Sequence, residues 1–320
     1  MLLLAAFSAR ADVEFLWGVD GAGIPGSPQS SSLYAINPGN GQVLGLIGAC
    51  GANTVSGLSR HPSTGLLYAT QGQNGPRKLL RIDKTTGAAT VIGSTTNGVM
   101  DTAFASNGTL YGWDATTRKL VTINLSTGAL TQIGTNISSS NPVGITFGLN
   151  GTLYLETSVV SAQLYTVNPA TGNKILGPLA GSVTKPSNLL STDSAGRLVA
   201  GVRGSGGTGL YFVNPTTGAM SLIGTVALSL DGITFDTAAA PSFAVNGRKK
   251  IKTTKASVTI RGTATSVLPL TVSAKGKSAI VAAGSWSLKV KLKKGKNKLT
   301  LVCADGMGQS VATTVTVTRN

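Results

Sequence analysis

Histidine, cysteine and acidic residues are scarce in this sequence. The chain has one His, two Cys and 11 Asp or Glu among 320 residues. A zinc site built from His and Cys is therefore excluded, because such a site needs three or four of these ligands together. Cys50 and Cys303 cannot form a disulfide framework. They could pair only if their two regions met, so we expect two separate thiols that are buried or half-buried.

Long apolar runs are also missing, and none reaches the ~18 residues that a membrane span requires. The first 11 residues, MLLLAAFSARA, are apolar and end in Ala9-Arg10-Ala11, which resembles a secretory cleavage site before Asp12. The stretch lacks a basic start, so a fortuitously apolar leader is the alternative. We interpret residues 1–11 as the remnant of a signal peptide. The protein is then expected to be secreted, periplasmic or at the cell surface.

The first 240 residues contain one short phrase five times. Its copies read NPGNGQVLGLIG (37–48), DKTTGAATVIGS (83–94), NLSTGALTQIGT (124–135), NPATGNKILGPL (168–179) and NPTTGAMSLIGT (214–225). Asn or Asp followed by small residues and Gly favours a tight turn between two strands. Each phrase follows a short apolar run, and a further hairpin pattern such as MDTAFASNGTLYGWD (100–114) lies upstream. Four short strands per unit predict the blades of a β-propeller.

One unit is split between the two ends of the repeat region. The unit that contains the first phrase has a second strand, EFLWGVD (14–20), but lacks a first strand. The last strand pattern of the region, LDGITFD (230–236), reads as a first strand that no second strand follows. Pairing these two stretches would close the ring and remove its open edges. The sequence therefore predicts an all-β protein with a five-bladed propeller over residues 12–237, closed one strand plus three.

The pattern changes after Pro241. Stretches such as ASVTIRGTA, SWSLKVKL and NKLTLVCAD alternate apolar and polar residues and are separated by turn residues. About seven strands in 80 residues predict an immunoglobulin-like β-sandwich over residues 238–320. This region resembles the small bacterial Ig-like domains of secreted and surface proteins. Residues 14–236 resemble secreted bacterial propellers of the NHL-like and gluconolactonase-like kind, a resemblance that implies a fold and not an activity.

Positive charge is concentrated in the last 80 residues. They carry 15 Lys or Arg against Asp305 alone. Such a field attracts polyanions, and an anionic glycan or cell-envelope polymer is the partner that we expect. Nucleic acid is the weaker candidate because no aromatic residues alternate with the lysines. The alternative is a solvated domain whose edge lysines prevent aggregation. The expected binding patch comprises Lys289, Lys291, Lys293, Lys296 and Lys298.

A second candidate site lies at one mouth of the predicted propeller. First strands begin there and second strands end there, which brings together Asp20, Gln71, Asp101, Trp113, Asp114, Glu156, Arg203 and Asp231. Acids in such a ring could hold Ca²⁺, which binds six to eight oxygen ligands, with Asp101, Asp114 and Asp231 as candidate ligands. The acids occupy unlike positions in their units, however, so we prefer to interpret them as ordinary surface carboxylates. His61 lies in a turn at the opposite mouth, so it cannot complete a Ser-His-Asp site with this ring.

Two functions follow from these patterns. The first is a monomeric, non-enzymatic exported protein without a cofactor, in which the propeller recognises a ligand and the basic domain is a spacer or an anchor to an anionic surface. The second is a Ca²⁺-dependent hydrolase of the lactonase type that acts at the ring of acids.

Overall fold

The computed structural model describes residues 12–21, 30–71, 77–134, 142–157, 163–179 and 187–320. Throughout these ranges the chain consists of strands and turns, with no helix, which confirms the all-β prediction. No helix in the same ranges is long and apolar enough to cross a membrane. The predicted signal-peptide remnant, residues 1–11, lies outside the described residues. Two compact units are present, Glu14–Asp236 and Thr237–Asn320.

The first unit contains five four-stranded sheets, and the strands pair in the orders β20-β1-β2-β3, β4-β5-β6-β7, β8-β9-β10-β11, β12-β13-β14-β15 and β16-β17-β18-β19. The strands are β1 (Val13–Asp20), β2 (Ser32–Ile36), β3 (Val43–Ala49), β4 (Val55–Arg60), β5 (Leu67–Gln71), β6 (Lys78–Ile82), β7 (Ala89–Ser94), β8 (Val99–Phe104), β9 (Leu110–Asp114), β10 (Lys119–Ile123), β11 (Leu130–Ile133), β12 (Pro142–Phe147), β13 (Leu153–Thr157), β14 (Gln163–Val167), β15 (Lys174–Leu179), β16 (Ser187–Thr192), β17 (Leu198–Gly204), β18 (Gly207–Val213), β19 (Met220–Val226) and β20 (Leu230–Ala238).

The repeated phrase forms the turn between the third and fourth strands of each sheet. At Asn124, the side-chain oxygen accepts hydrogen bonds from the N–H groups of Ser126 and Thr127 at 2.9 and 3.1 Å. The N–H of Gly128 then donates to the carbonyl of Asn124 at 2.8 Å. Gly128 has a φ of 75°, a conformation that glycine adopts without steric cost. The corresponding N–H to carbonyl bond recurs at Asn37, Asp83, Asn168 and Asn214.

Neighbouring sheets approach one another closely at glycines. A Cβ added to Gly48 of β3 would overlap the carbonyl oxygen of Thr86 in the second sheet. Corresponding contacts join Gly93 to Thr127, Gly134 to Thr171, Gly144 to Leu190 and Gly224 to Asn40. Each sheet therefore contacts the next one, and the last of these contacts joins the fifth sheet to the first.

Strand β20, the last of this unit, lies beside β1, the first. The sequence predicted this pairing. Within the same region, Trp17 of β1 donates a hydrogen bond from Nε1 to Oδ2 of Asp236 in β20 at 3.0 Å. The first sheet is thus built from both ends of the repeat region.

The second unit contains a three-stranded sheet, β21-β23-β26, and a five-stranded sheet, β22-β28-β27-β24-β25. Its strands are β21 (Ser242–Val245), β22 (Lys250–Thr253), β23 (Ser257–Thr265), β24 (Leu270–Ala274), β25 (Lys277–Ile280), β26 (Ser285–Lys291), β27 (Gly295–Asp305) and β28 (Ser310–Arg319). Buried side chains from both sheets form one apolar cluster that includes Trp286, Leu288, Leu299, Leu301 and Val315.

This unit has eight strands where the sequence predicted about seven. The short strand β22 was not predicted, because its run of charged residues is typical of a loop. It pairs in parallel with β28, and Ile251 packs on the apolar cluster. Cys303 belongs to the same cluster, and both Cys303 and Cys50 are free and buried, as the sequence predicted.

Candidate functional site

The eight residues of the predicted ring lie at the expected strand ends. Asp20, Gln71 and Asp114 are the last residues of second strands in their sheets, whereas Asp231 is near the start of a first strand. The expectation of ordinary surface carboxylates is wrong, however. Asp20, Asp101, Asp114 and Glu156 are each at most 4% exposed.

The side chains of Asp20 and Gln71 form hydrogen bonds with neighbouring segments of backbone. The carboxylate of Asp20 accepts a hydrogen bond from the N–H of Ser32 at 2.6 Å and another from the hydroxyl of Tyr34 at 3.2 Å. Burial raises the pKa of Asp20, although these hydrogen bonds oppose the shift. Gln71 donates from Nε2 to the carbonyl of Asn53 at 2.9 Å. Both side chains are therefore engaged in local structure.

Asp101 is buried between three sheets. Its Oδ2 accepts a hydrogen bond from the N–H of Ile145 in the next sheet at 3.0 Å, and its Oδ1 accepts one from Thr102 at 2.9 Å. Burial raises the pKa of Asp101 well above its usual range, and hydrogen bonds from the backbone of Ile145, Thr102 and Leu190 oppose this shift. Asp101 thus connects first strands of successive sheets.

Trp113 and Asp114 are adjacent on β9 and serve different parts of the structure. Trp113 is 1% exposed and packs in an apolar cluster with Leu155, so its ring belongs to the core. Neighbouring side chains on a strand point to opposite sides, which separates it from Asp114. Asp114 accepts from the N–H groups of Thr116 and Thr117 at 2.8 and 3.0 Å.

Asp114 also accepts a hydrogen bond from Nδ2 of Asn97 at 2.7 Å. Burial opposes its ionisation, but the hydrogen bonds from Thr117, Asn97 and Thr116 together outweigh burial and lower the pKa of Asp114. Both carboxylate oxygens are therefore occupied by donors of the chain itself.

Arg203 and Asp231 are the two ring residues that the structure brings together as an ion pair. Arg203 also donates from Nε to the carbonyl of Leu230 at 2.7 Å, and burial lowers its pKa to about 10. In the described ranges, no three His, Cys, Asp or Glu side chains are close enough together to hold a metal ion. Asp101, Asp114 and Asp231 therefore do not converge on one point.

A pocket opens at the opposite end of the first strands, where His61 follows β4. It has a volume of about 270 Å³ and is lined by the first strands of all five sheets. Hydroxyl groups surround its interior, contributed by Ser59, Thr102, Thr146, Ser191, Thr192 and Thr234. Phe104, Phe147 and Phe235 add apolar surface to the lining. This ring of hydroxyls could not be predicted from the sequence, because small hydroxyl residues on strands form no distinctive pattern.

The predicted basic patch is divided between the two sheets of the second unit. Lys289 and Lys291 are exposed on β26, and they alternate with buried Leu288 and Val290 as the sequence predicted. Lys296 and Lys298 are not across a hairpin from them, because β27 belongs to the other sheet. Their side chains alternate with core residues of β27 and lie on the outer face of that sheet.

Asn297 explains how the chain changes sheets at this point. Its side chain accepts a hydrogen bond from the N–H of Lys293 at 3.0 Å and donates to the carbonyls of Lys293 and Gly295 at 2.8 and 3.0 Å. The tight KKGKN segment is therefore a crossing between sheets. Lys293 lies in this crossing, beyond the end of β26.

The outer face of the five-stranded sheet carries basic residues that the sequence analysis did not single out. Arg248, Lys250 and Lys252 line a groove with Lys296, Thr316 and Thr318. These residues could have been predicted from the alternation of Lys250 and Lys252 with Ile251, because period-2 alternation indicates a strand with one polar face.

Two family models match the sequence. The model described as "Glucodextranase, domain B" matches residues 241–320. The model described as "Repeat of unknown function (DUF6923)" matches residues 6–149 and 47–175, and these ranges together span more than half of the chain. A comparison with curated proteins gave no significant match.

Solved structures show weak similarity to the chain. A chain of a nidogen–laminin complex has a TM-score of 0.49 at 13% identity, covering 70% of this chain and 98% of that one. A gluconolactonase from Xanthomonas campestris has a TM-score of 0.43 at 12% identity, covering 96% and 98%. A virginiamycin B lyase from Staphylococcus aureus has a TM-score of 0.41 at 11% identity, covering 83% of each chain. At TM-scores below 0.5, none of them supports an inference about activity or ligand.

Proposed function

This chain belongs to the family described as "Repeat of unknown function (DUF6923)", and we propose that it is a non-enzymatic binding protein of the cell exterior. In this proposal residues 12–237 form a five-bladed β-propeller and act as a recognition platform. Residues 238–320 form an immunoglobulin-like sandwich that attaches the protein to an anionic glycan or cell-envelope polymer. The apolar leader, residues 1–11, supports export.

The sheet contacts support a five-bladed propeller. Five four-stranded antiparallel sheets follow one another, and close contacts at Gly48, Gly93, Gly134, Gly144 and Gly224 join each of them to a neighbour. The sheet that contains both β1 and β20 supplies a closure of one strand plus three. Such closure removes the free edges at which open sheets aggregate.

Two facing sheets support the sandwich. Alternate residues of β26, such as Trp286 and Leu288, meet alternate residues of β27, such as Leu299 and Leu301, in one core. Two sheets with interdigitating inner faces are the defining feature of a β-sandwich. The match of this region to a glucodextranase domain is consistent with an accessory module beside a polysaccharide.

The charge of the sandwich is the observation that carries the proposed function. Residues 241–320 have 15 Lys or Arg, and their one acid, Asp305, is 8% exposed and accepts hydrogen bonds from Met307 and Gln309. No ion pair neutralises these cations within the described part of the chain. A surface with so many uncompensated cations attracts polyanions over a distance of about 10 Å at ordinary salt.

The occupied carboxylates favour binding over hydrolysis. A lactonase-type site would need several acids converging on one Ca²⁺. Asp101 and Asp114 instead accept hydrogen bonds from the backbone, and Asp231 pairs with Arg203. The proposal therefore assigns the acids of this mouth to the stability of the ring. It assigns recognition by the propeller to the hydroxyl-lined pocket at the other mouth. The charge of Arg60 in this lining is paired with Asp236, so the hydroxyls and Phe side chains suit a small uncharged polar ligand.

Binding of the full chain to immobilised dextran sulfate and to neutral dextran tests the attachment role. Both polymers share one backbone, so the comparison isolates the anionic groups. We expect binding to dextran sulfate at about 50 mM NaCl, where screening is weak, and none to dextran. A protein that binds neither polymer, or both equally, would contradict the proposed function.

A further inference from the structure

The outer face of the five-stranded sheet forms a basic groove of about 810 Å³. Its walls and floor are residues of β22, β27 and β28, together with Arg248, which precedes β22. We call it the sheet groove and define it by the lining residues Arg248, Lys250, Lys252, Lys296, Thr316 and Thr318, together with Lys298, which is paired with Thr316.

Strand register arranges the lysines of the sheet groove in two rows. Thr316 of β28 is paired with Lys250 of β22 on one side and with Lys298 of β27 on the other. Thr318 is paired in the same way with Lys252 and Lys296. Strand spacing places the two lysines of a row roughly 10 Å apart, and the rows are roughly 7 Å from each other. Four ammonium groups thus surround a floor of two hydroxyls.

Protection of sheet edges does not explain this arrangement. Lysines on an edge strand prevent pairing with other chains, which accounts for Lys250 and Lys252 on the edge strand β22. It also accounts for Lys289 and Lys291, because β26 is an edge strand of the three-stranded sheet. Lys296 and Lys298 are on β27, the central strand of its sheet. There they have no edge to protect.

Like charges at this spacing repel one another, since the separation does not exceed the ~10 Å over which salt screens charge at 0.1 M. Within residues 241–320, all of which the structure describes, no acidic side chain lies on this face. Asp305 is at the opposite end of β27 from Lys296, and its side chain belongs to the inward-facing residues of the strand. A bound anion would relieve the repulsion that the fold otherwise tolerates.

The chemistry of the sheet groove indicates the class of ligand. Its lysines supply charge, and its Thr hydroxyls can donate hydrogen bonds to anionic oxygens. The two aromatic residues of this unit, Phe243 and Trp286, pack on each other with ring centroids 5.4 Å apart, and Trp286 is buried. Nucleic bases therefore have no stacking surface here, which favours a linear acidic polysaccharide.

We infer that the sheet groove is the site that binds the anionic polymer, and that Lys289, Lys291 and Lys293 are not. This inference rests on the proposed function, because it assigns the polymer to one of two basic faces. The ligand is a linear acidic polysaccharide whose anionic groups contact Lys250, Lys252, Lys296 and Lys298 across the Thr316 and Thr318 floor.

Two variants of the full chain with equal loss of charge test the assignment. The groove variant carries Lys250→Gln, Lys296→Gln and Lys298→Gln, and the edge variant carries Lys289→Gln, Lys291→Gln and Lys293→Gln. Affinity for dextran sulfate is measured at about 50 mM NaCl, with thermal unfolding as a check on folding. We expect the groove variant to lose roughly tenfold or more in affinity and the edge variant to lose much less. The groove variant should unfold at the same temperature as the wild type or higher, because repulsion is removed.

Each other outcome has a definite meaning. If both variants lose affinity equally, or the edge variant loses more, the polymer does not bind at the sheet groove. The proposed function would remain intact. Failure of the wild type to bind dextran sulfate would overturn the proposed function itself. Single-stranded DNA that binds as tightly as dextran sulfate, with the same loss in the groove variant, would overturn the choice of a polysaccharide as the ligand.

Discussion

Trp17 donates a hydrogen bond from Nε1 to Oδ2 of Asp236 at 3.0 Å, although 219 residues separate them in the sequence. The same carboxylate pairs with Arg60 and Lys84, both at 2.5 Å. One buried acid thus connects the first strand of the repeat region, its last strand and the second sheet. This contact reinforces the closure of the first sheet, in which β20 pairs with β1, as the unpaired sequence pattern at residues 230–236 predicts.

Asp236→Asn should weaken this closure. The substitution removes the charge that attracts Arg60 and Lys84, and charge-assisted hydrogen bonds contribute about 1.5–3 kcal/mol each. We expect the free energy of unfolding to fall by about 2 kcal/mol, measured by denaturant titration. Asp83→Asn is the control, because Asn holds the same turn in the other four repeats. Similar values for both variants would show that Asp236 does not hold the two ends together.

Gly48→Ala should destabilise the contact between the first two sheets. Its new Cβ would overlap the carbonyl oxygen of Thr86, and overpacking of this kind costs about 1–3 kcal/mol. Gly206→Ala is the control, since a Cβ there would meet no atom within 4 Å. Thermal unfolding of both variants measures the difference. An unchanged melting temperature for Gly48→Ala would mean that the sheets are farther apart than described.

Asp101 should make stability depend on pH. Burial raises its pKa in the folded chain, so the folded chain retains the proton to a higher pH than the unfolded chain does. The resulting stability is fully present below the ordinary carboxyl pKa of about 3.9 and is lost as pH rises through the folded pKa. The stability advantage of the wild type over Asp101→Asn, measured as a difference in unfolding free energy, should therefore decrease as pH rises above about 4.

The pKa of Asp83 is shifted in the opposite direction from that of Asp101, so its effect on stability has the opposite dependence on pH. Hydrogen bonds from Thr86 and Thr85 lower its pKa, so the stability that it contributes is present above the ordinary carboxyl pKa and is lost as pH falls. A stability advantage of the wild type over Asp101→Asn that grows as pH rises would contradict the prediction for Asp101. It would mean that hydrogen bonds from the backbone lower the pKa of Asp101 more than burial raises it.

Calcium should not stabilise the ring of acids. Both carboxylate oxygens of Asp114 already accept hydrogen bonds from Thr116, Thr117 and Asn97. Asp114→Ala should lower the melting temperature by the same amount with and without Ca²⁺. A bound ion would instead raise the melting temperature of the wild type by mass action. A Ca²⁺-dependent rise that Asp114→Ala abolishes would revive the hydrolase alternative.

Local patterns allowed much of the fold to be predicted from the sequence. The Asn or Asp and Gly of each phrase specify a turn through bonds within five residues, as at Asn124 and Gly128. The alternation of Lys289 with Leu288 and Val290 specifies which face is buried, because the side-chain period of a strand is two. The unpaired stretch at residues 230–236 specified its partner because the first sheet lacked a strand.

The remaining features depend on contacts that no local pattern contains. Burial of Asp101 results from the approach of Ile145, 44 residues away. Lys296 and Lys298 lie on the other sheet because Asn297 holds a crossing that resembles a hairpin turn in the sequence. Strand β22 was not predicted from its charged sequence, because it forms only where β28 supplies its hydrogen bonds.

The salt dependence of dextran sulfate binding tests the attachment role most directly. Affinity of the full chain is measured from about 50 to about 500 mM NaCl, and the logarithm of the binding constant is plotted against that of the salt concentration. Each cation that contacts the polymer releases counterions and steepens this line. We expect a steep line for the wild type, a shallower one for the groove variant and nearly the wild-type slope for the edge variant. A line that is flat for the wild type would show that the positive charge of residues 241–320 does not bind the polymer.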